Sequence, residues 1–412
     1  MRDEQSVSQT SGMTTETGPP LGRYYDVAGQ RLLLYRSGSG SPAVVFLPGG
    51  GAVGLDYLNV QERAAALTTS VVYDRAGTGW SEAAALPRTS AQVTGELREL
   101  LLTAGVPAPY LLAGHSLGGL YARHYAQRFP GEVAALLLLD PAHEDYNAYM
   151  PAELTDMWKA FDPGQALPDE LPGELVALYR GLFEQEMAGW PAEIRERLIE
   201  RHLSPEWLLT GFREAANVDE LYDEVRHAGP MPDVPLIVLC SMEVDGFKRV
   251  VSAGVPDSLL RGEIEGKRRL YTALAGSVPS GEVRLVDAGH VTMHLRHPGA
   301  VLRAIEDLRA RAPPHCPRLL RRVGRVQSYP GRRSRANVEA NPAGPCRILI
   351  LACKNLHATP GDRELAAFRP CPPPLGPGSQ PCGSPMTRAA MSSWPLRRHQ
   401  LRMYRACSPH QR

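Results

Sequence analysis

The sequence has no apolar run close to the roughly 20 residues that an α-helix needs to cross a bilayer. Residues 1–17 are polar and lack the hydrophobic stretch of a secretory signal. These absences predict a chain without a membrane span and make a cytoplasmic location the default expectation.

Cysteine is nearly absent from residues 1–312, where Cys240 stands alone. The other six cysteines fall in the last hundred residues, and their spacing matches neither a zinc site nor a disulfide framework. They are Cys316, Cys346, Cys353, Cys371, Cys382 and Cys407. The sequence therefore gives no support for a structural metal or for disulfide bonds.

The net charge of +1 conceals two segments of different composition. Residues 313–412 hold 17 Lys and Arg against 3 Asp and Glu, a net +14, which leaves −13 for residues 1–312. The same hundred residues carry 16 of the 37 prolines. Such composition predicts a disordered, low-complexity tail. A basic tail could contact nucleic acid or a membrane surface, but it lacks periodic lysines, interleaved aromatics and any known motif. The composition of the tail resembles that of an out-of-frame extension at least as much as that of a binding segment. No nucleic-acid partner is therefore expected.

Residues 21–312 alternate strand and helix patterns, which predicts an α/β fold with a mostly parallel, doubly wound sheet of eight strands. Residues 133–139 are an unbroken apolar run, typical of a strand buried on both faces. Thr89 and Gln92 form a capping-box pattern ahead of an amphipathic helix, and a closing helix is expected at 299–310. The other predicted strands are 24–27, 32–35, 43–47, 71–74, 110–113, 236–239 and 283–286.

The alternation stops after Asp140. From about 146 to 230 the pattern is helical and repeatedly interrupted by proline, with large apolar side chains between the prolines. We interpret this segment as a helical cap inserted between two strands. The predicted organisation is thus a disordered 1–20, a domain over 21–312 with its cap at 146–230, and the tail 313–412.

Gly114-His115-Ser116-Leu117-Gly118 lies where a predicted strand turns into a predicted helix. A tight turn of this kind leaves room only for glycine two residues before and two residues after the serine. It also holds the serine hydroxyl at the helix N-terminus, where backbone N–H groups and the helix dipole favour a developing oxyanion. This context predicts that Ser116 is a nucleophile.

Three further blocks make residues 21–312 resemble the α/β-hydrolase superfamily, in its form with a helical cap. Residues 73–81, YDRAGTGWS, resemble the loop after the fourth strand, and residues 47–51, LPGGG, resemble the oxyanion loop. Residues 288–290, AGH, match the position of the catalytic histidine. The order and separation of these blocks support the resemblance more than any one of them does.

The resemblance implies that His290 is the general base for Ser116, and imidazole has the intrinsic pKa for that task. His115 is expected to be structural, because neighbouring side chains in a turn point apart. His294 and His297 are assigned to the start of the closing helix. A zinc interpretation of His290 and His294 fails because the residues between them lack the usual glutamate.

The acid that orients His290 stays open between two aspartates. In most relatives it follows the seventh strand, which points to Asp245, one residue later than the usual spacing. In others it follows the sixth strand, which points to Asp140. The subgroup that the YDRAGTGWS and LLDPAH blocks resemble often uses the sixth-strand position, so Asp140 is slightly preferred, with Glu243 as a third choice. The unused carboxylate is expected to cap a loop or to anchor the cap.

By the same resemblance, the backbone N–H groups of Gly50 and Leu117 are expected to form the oxyanion hole. Asp74 and Arg75 are expected to form a structural ion pair that anchors their loop. The implied reaction is hydrolysis of an ester-type bond, a carboxylester, lactone or thioester, through an acyl-serine intermediate, without cofactor or metal. The cap points to a small or medium apolar substrate by fold analogy.

Two alternatives remain for the function: an amidase or prolyl aminopeptidase with the same triad, and a non-catalytic ligand-binding protein on the same fold. The sequence does not indicate an oligomeric state.

Overall fold

The fold is described from a computed structural model of the chain, covering residues 18–159, 172–204, 207 and 209–312. The predicted disorder of the N-terminus falls almost wholly, and that of the tail 313–412 wholly, outside the described residues. Among the described helices, none has the length and apolar character required to cross a membrane.

Eight strands form a single sheet in the order β1-β2-β4-β3-β5-β6-β7-β8. β1 pairs antiparallel with β2 and β2 antiparallel with β4, whereas every other neighbouring pair is parallel. The sheet confirms the expected mostly parallel eight-stranded arrangement. The strands are β1 Arg23–Val27, β2 Gln30–Ser37, β3 Ala43–Leu47, β4 Ser70–Tyr73, β5 Tyr110–His115, β6 Val133–Leu139, β7 Leu236–Ser241 and β8 Gly281–Val286.

The central strands are buried on both faces because helices cover both sides of the sheet. In β3, β5, β6 and β7 every residue is buried. Alternate residues of β3 enter different cores: Val45 and Leu47 belong to one cluster, and Val44 and Phe46 to the other. This two-residue alternation is what a doubly wound sheet imposes on a strand.

Helices cover both faces of the sheet. α1 (Leu58–Ala65) and α13 (Pro298–Arg311), which follows the short helix α12 (Met293–Arg296), pack with Val44 and Phe46. α2 (Ser90–Thr103), α3 (Leu117–Arg128) and α11 (Asp257–Ala275) pack on the opposite face. The predicted capping box of α2 is present: Thr89 Oγ1 accepts from the Gln92 N–H, and the Gln92 side chain accepts from the Thr89 N–H.

Over its described residues, the chain between β6 and β7 consists of helices joined by turns and loops, as the cap interpretation expects. The cap helices are α4 Tyr146–Tyr149, α5 Ala152–Lys159, α6 Gly173–Glu186, α7 Ala192–His202, α8 Thr210–Glu214 and α9 Val218–His227. Residues 160–171 of the cap are outside the described part.

Two helices between β7 and β8 were not predicted from the sequence, α10 (Gly246–Val251) and the 19-residue α11. The buried face of α11 carries Glu263 and Lys267 among its apolar residues, and these charges interrupt the apolar periodicity that identifies a helix. α11 packs on β7 and β8 and brings Lys267 to the carboxyl edge of the sheet.

Candidate active site

Ser116 occupies the sharp turn between β5 and α3 in a strained backbone conformation, with φ 50° and ψ −121°. The two flanking glycines are required by close approach of the backbone. A Cβ on Gly114 would lie 2.4 Å from the Gly118 carbonyl oxygen, and one on Gly118 would lie 2.1 Å from the Leu47 carbonyl oxygen. As predicted from the sequence, only glycine fits at these two positions. The strain projects the serine hydroxyl away from the sheet.

His290 lies in the loop after β8 and faces Ser116. Its Nε2 is 3.0 Å from Ser116 Oγ, and its Nδ1 is 2.6 Å from Asp140 Oδ2. An ionised carboxylate only accepts hydrogen bonds, so Nδ1 carries the proton in the neutral ring. The lone pair of Nε2 is then directed at the serine hydroxyl.

Asp140 directly follows β6 and is buried, with a positive φ of 44° that few non-glycine residues adopt. Its Oδ1 accepts the Ser241 N–H at 3.1 Å, and its Oδ2 accepts Lys267 Nζ at 2.7 Å as well as His290. Burial alone would raise the pKa of this carboxyl, but the Lys267 charge and the His290 hydrogen bond outweigh burial and hold the pKa far below its usual range. Asp140 is therefore a carboxylate at every pH of interest.

Lys267 is a buried ammonium on α11 that sequence reasoning missed. Burial lowers the pKa of this lysine, but the Asp140 charge outweighs burial and the pKa is raised. Lys267 Nζ also donates to Ser241 Oγ at 2.8 Å. The signal in the sequence was a lysine at helical spacing between Leu260, Leu270 and Leu274, which places a charge on an apolar face.

His115 supports the His290 loop from behind. Its Nε2 lies 2.9 Å from the His290 carbonyl oxygen, and its Nδ1 lies 2.7 Å from Tyr57 Oη. A carbonyl only accepts, so Nε2 donates to it and Tyr57 Oη donates to Nδ1. Burial lowers the pKa of His115 well below its usual value, which keeps the ring neutral. This arrangement agrees with the structural role expected for His115.

The two expected oxyanion donors are neighbours. A Cβ on Gly50 would lie 3.5 Å from Leu117 Cδ2, so the β3 loop and the start of α3 meet beside Ser116. Across the described ranges, neither the Gly50 nor the Leu117 N–H donates to a protein acceptor. Two unused N–H groups beside a serine hydroxyl can donate hydrogen bonds to a negative oxygen.

A profile of the alpha/beta hydrolase family matches residues 44–304, more than half of the chain. The chain belongs to the alpha/beta hydrolase family.

Known proteins similar to this alpha/beta hydrolase match it over short segments. The uncharacterized protein YbdG of Bacillus subtilis is 32% identical over 121 residues, 29% of this chain and 37% of that protein. The pimeloyl-(acyl-carrier protein) methyl ester esterase of Chromobacterium violaceum is 39% identical over 98 residues, 24% of this chain and 36% of the esterase. The matched segments thus span less than half of either relative.

Among solved structures, Cfl2 from Burkholderia cenocepacia superposes with a TM-score of 0.50 at 20% identity, covering 69% of this chain and 94% of Cfl2. At this identity the likeness shows the fold alone.

In this alpha/beta hydrolase, Asp245 forms hydrogen bonds with the backbone of the loop that carries His290. Its Oδ1 accepts the Lys248 N–H at 2.8 Å and so caps α10, and its Oδ2 accepts the Val291 and Thr292 N–H groups at 2.7 and 3.3 Å. Glu243 is exposed and lines the cavity beside the serine. Of the three candidate carboxylates, only Asp140 is hydrogen-bonded to the His290 ring.

The predicted ion pair between Asp74 and Arg75 is wrong, because Arg75 pairs with a different carboxylate. Arg75 is buried and pairs with Glu214 of the cap helix α8, at 2.8 Å from Nε to Oε1 and 2.9 Å from Nη2 to Oε2. Asp74 instead accepts the backbone N–H groups of Gly54 and Trp80. A buried guanidinium needs a buried carboxylate that it can meet in a bidentate geometry, and Glu214 supplies one from far along the chain.

The Arg75–Glu214 pair also binds residues 48–51, the predicted oxyanion loop. Arg75 donates to the carbonyl oxygens of Pro48 at 2.7 Å and Gly49 at 2.8 Å, and Glu214 accepts the Gly51 N–H at 2.9 Å. The loop residues on both sides of Gly50 are therefore fixed by one ion pair between the sheet and the cap.

A cavity of about 220 Å³ opens beside Ser116 and His290. Apolar side chains from the β6 loop, the β7 loop and α11 form part of its wall, and Lys248, Glu263 and Tyr146 form a hydrogen-bonded polar group on another part. The apolar wall consists of Pro141, Ala142, Val244, Leu260 and Ile264. Within the described residues, no group of three or more His, Cys, Asp or Glu side chains could hold a metal ion.

Proposed function

We propose that this alpha/beta hydrolase is a serine hydrolase that cleaves an ester-type bond through an acyl-serine intermediate. The observation that carries the proposal is the continuous line of contacts Ser116 Oγ, His290 Nε2, His290 Nδ1 and Asp140 Oδ2, at 3.0 Å and 2.6 Å across its two hydrogen bonds. This arrangement gives the serine a base and gives the base an orienting acid.

In the first half of the proposed reaction, His290 Nε2 takes the proton of Ser116 Oγ as the oxygen attacks the substrate carbonyl. The carbonyl oxygen becomes an oxyanion, and the Gly50 and Leu117 N–H groups are the proposed donors to it. The imidazolium, stabilised by Asp140, then gives its proton to the leaving group, and the acyl group remains on Ser116.

In the second half, a water molecule replaces the leaving group. His290 takes a proton from this water as its oxygen attacks the acyl carbon, and the tetrahedral intermediate uses the same two N–H groups. Return of the proton to Ser116 Oγ releases the acid and restores the resting site. No step requires a metal or a cofactor.

The cavity beside Ser116 supports a small or medium substrate with an apolar portion. Its apolar wall gives an acyl or alcohol chain a surface to pack on, and burying such a surface is favourable by about 25 cal/mol per Å². The methyl ester esterase among the relatives favours an ester over an amide as the scissile bond.

A fluorophosphonate probe tests the proposal because it reacts with an activated serine. We expect peptide mapping to locate the label on Ser116, and Ser116→Ala to remain folded and unlabelled. Turnover of p-nitrophenyl esters should fall about 10⁵-fold in this variant.

Comparison of p-nitrophenyl esters with matched p-nitroanilides distinguishes ester from amide cleavage. Esters of increasing acyl chain length show the longest chain that the cavity accommodates. Labelling that persists in Ser116→Ala, or an unlabelled parent enzyme, would contradict the assignment of the nucleophile. Faster cleavage of anilides than of matched esters would favour the amidase alternative.

A further inference from the structure

The oxygen of Asp140 that faces His290 is also the acceptor of a buried lysine. Lys267 Nζ lies 2.7 Å from Asp140 Oδ2, and His290 Nδ1 lies 2.6 Å from the same atom. Lys267 is only 8% exposed, so water does not screen this contact effectively. A Ser-His-Asp triad does not require a lysine. Lys267 is therefore an additional feature of this site.

The lysine restricts the orientation of the carboxylate. Lys267 Nζ is itself fixed by a second bond to Ser241 Oγ, and Asp140 Oδ1 is held by the Ser241 N–H. The carboxylate is thus bound from two sides by one residue of β7 and one residue of α11. Rotation about the Cβ–Cγ bond of Asp140 would break the lysine contact together with the histidine contact.

The charges around Lys267 alternate in sign. Asp140 is negative, Lys267 positive and Glu263 negative, and Lys248 pairs with Glu263 at 2.8 Å. The nearby Cys240, Tyr146 and Tyr271 are neutral because burial raises the pKa of each. These groups come from the β6 end, β7, α4, α10 and α11, with His290 facing from the β8 loop. Tyr222 of α9 and the exposed Glu243 of the β7 loop line the same cavity, and the neutral His115 ring lies 4.9 Å from the His290 ring between ring centres. Apart from the exposed Glu243, the two lysines and two carboxylates cancel while His290 is neutral.

We propose that Lys267 is a positioning residue of the Ser116–His290–Asp140 triad, and that it extends activity to more acidic pH. This inference rests on the proposed function. Without the lysine, a proton on His290 would form a neutral pair with Asp140. With the lysine, the same proton produces a site with one excess positive charge, which is less favourable. The charge of Lys267 therefore disfavours a proton on His290 relative to the same site without the lysine.

Substitution of Lys267 separates its charge from its hydrogen bonds. Lys267→Gln removes the charge but keeps a donor, Lys267→Met removes both, and Lys267→Arg keeps the charge. The readout is the rate of fluorophosphonate labelling of Ser116 between about pH 5 and about pH 9, since it follows the free enzyme and needs no known substrate. Thermal midpoints of all variants are measured in parallel.

We expect the acid limb of the labelling profile to move up by about one pH unit in Lys267→Gln and Lys267→Met, and to return toward the parent in Lys267→Arg. Lys267→Met should also label more slowly at its optimum, by about tenfold, because the carboxylate loses its orientation. Arg268→Met is the matched control: it removes a positive charge from the exposed side of the same helix, where Arg268 pairs with Glu265 and does not line the cavity. Its acid limb should stay close to that of the parent.

A folded Lys267→Gln with an unchanged acid limb would overturn the proposal, even if its thermal midpoint falls, since that result describes a purely structural lysine. An equal shift in Arg268→Met would also overturn it. If Lys267→Met does not fold, Lys267→Gln decides the question. Failure of the proposed function gives a different result, because the parent enzyme itself would then not be labelled at Ser116.

Discussion

The carboxylate of Asp245 accepts the backbone N–H of Val291 at 2.7 Å, and so fixes the loop that carries His290 without touching the His290 ring. Gly289 makes this contact possible, since a Cβ there would lie 2.3 Å from the Asp245 Cβ. Both aspartates thus position His290. Asp245 holds the backbone of the loop just after it, and Asp140 holds its ring.

Asparagine substitutions at the two aspartates should therefore have unequal effects. Asp140→Asn removes the acceptor that selects the tautomer of His290, and we expect ester turnover to fall about 10⁴-fold. Asp245→Asn keeps an acceptor for the Lys248 or Val291 N–H, and turnover should fall by no more than about tenfold. Turnover of a p-nitrophenyl ester and circular dichroism of both variants provide the comparison. Equal losses in two folded variants would remove the distinction between the aspartates.

The sequence predicted most of the sheet because burial on both faces leaves a local signal. β3 and β6 were predicted with their observed ends, and β5, β7 and β8 differ only by a few residues at one end. The same logic could not choose between Asp140 and Asp245. β6 and β7 are parallel neighbours, so both carboxylates arrive at the same edge of the sheet. Only the loop conformations decide which of them reaches His290.

Two features of the site were not predicted from the sequence. Glu214 pairs with Arg75 across 139 positions of sequence, from a cap helix whose packing is set by tertiary contacts. Lys267 lies on a helix whose buried face mixes charge with apolar residues, so the residue that binds Asp140 also obscured its helix. Buried charges are therefore the part of this site that sequence patterns predict least well.

Glu214→Gln should weaken catalysis through the oxyanion loop. The substitution leaves the buried Arg75 without its counter-ion and loosens the Gly51 N–H contact, at a cost of about 3 kcal/mol or more. We expect kcat for a p-nitrophenyl ester to fall by about tenfold or more with a smaller change in KM, since the oxyanion donors act mainly in the transition state. The thermal midpoint should drop by several degrees.

Glu184→Gln is the control for that experiment. It removes a carboxylate from an exposed ion pair with Arg180 on the cap helix α6, where the two charges lie 3.9 Å apart in water. Such pairs contribute little, so kcat and the thermal midpoint should both stay close to the parent. A Glu214→Gln enzyme that matches this control would show that the ion pair does not hold the oxyanion loop.

Mild acid should destabilise the fold. Burial lowers the pKa of His124, His143 and His294 to about 4, and that of His115 well below its usual value. In the unfolded chain each histidine has a pKa of about 6.5, so between about pH 6.5 and about pH 4 the unfolded state binds more protons. The stability that neutral histidines contribute is therefore complete above about pH 6.5 and is lost as the pH falls.

The opposite effect comes from Asp74, whose pKa burial raises to about 6, so that folding takes up one proton in part of the same range. Four histidines outweigh this one carboxyl. Urea unfolding at several pH values should show that the free energy of unfolding falls as the pH decreases. The fall should be as much as about 1.4 kcal/mol per pH unit for each proton that the unfolded state binds in excess of the folded state. His124→Gln should reduce that slope by up to one proton. Stability that stays level or rises on acidification would refute the assignment of neutral buried histidines.

Truncation after Ala312 should leave ester turnover and the thermal midpoint nearly unchanged. The last described helix, α13, ends at Arg311, and the Ala312 N–H still donates to the Leu308 carbonyl oxygen. α13 contributes Val301, Ala304, Ile305 and Leu308 to the core, and the cut preserves these four contacts. Removal of the +14 segment and its six cysteines should improve solubility, because exposed thiols promote cross-linking. A matched cut after His297 removes α13 and should abolish folding. A protein ending at Ala312 that loses activity or melts many degrees lower would make residues 313–412 part of the enzyme.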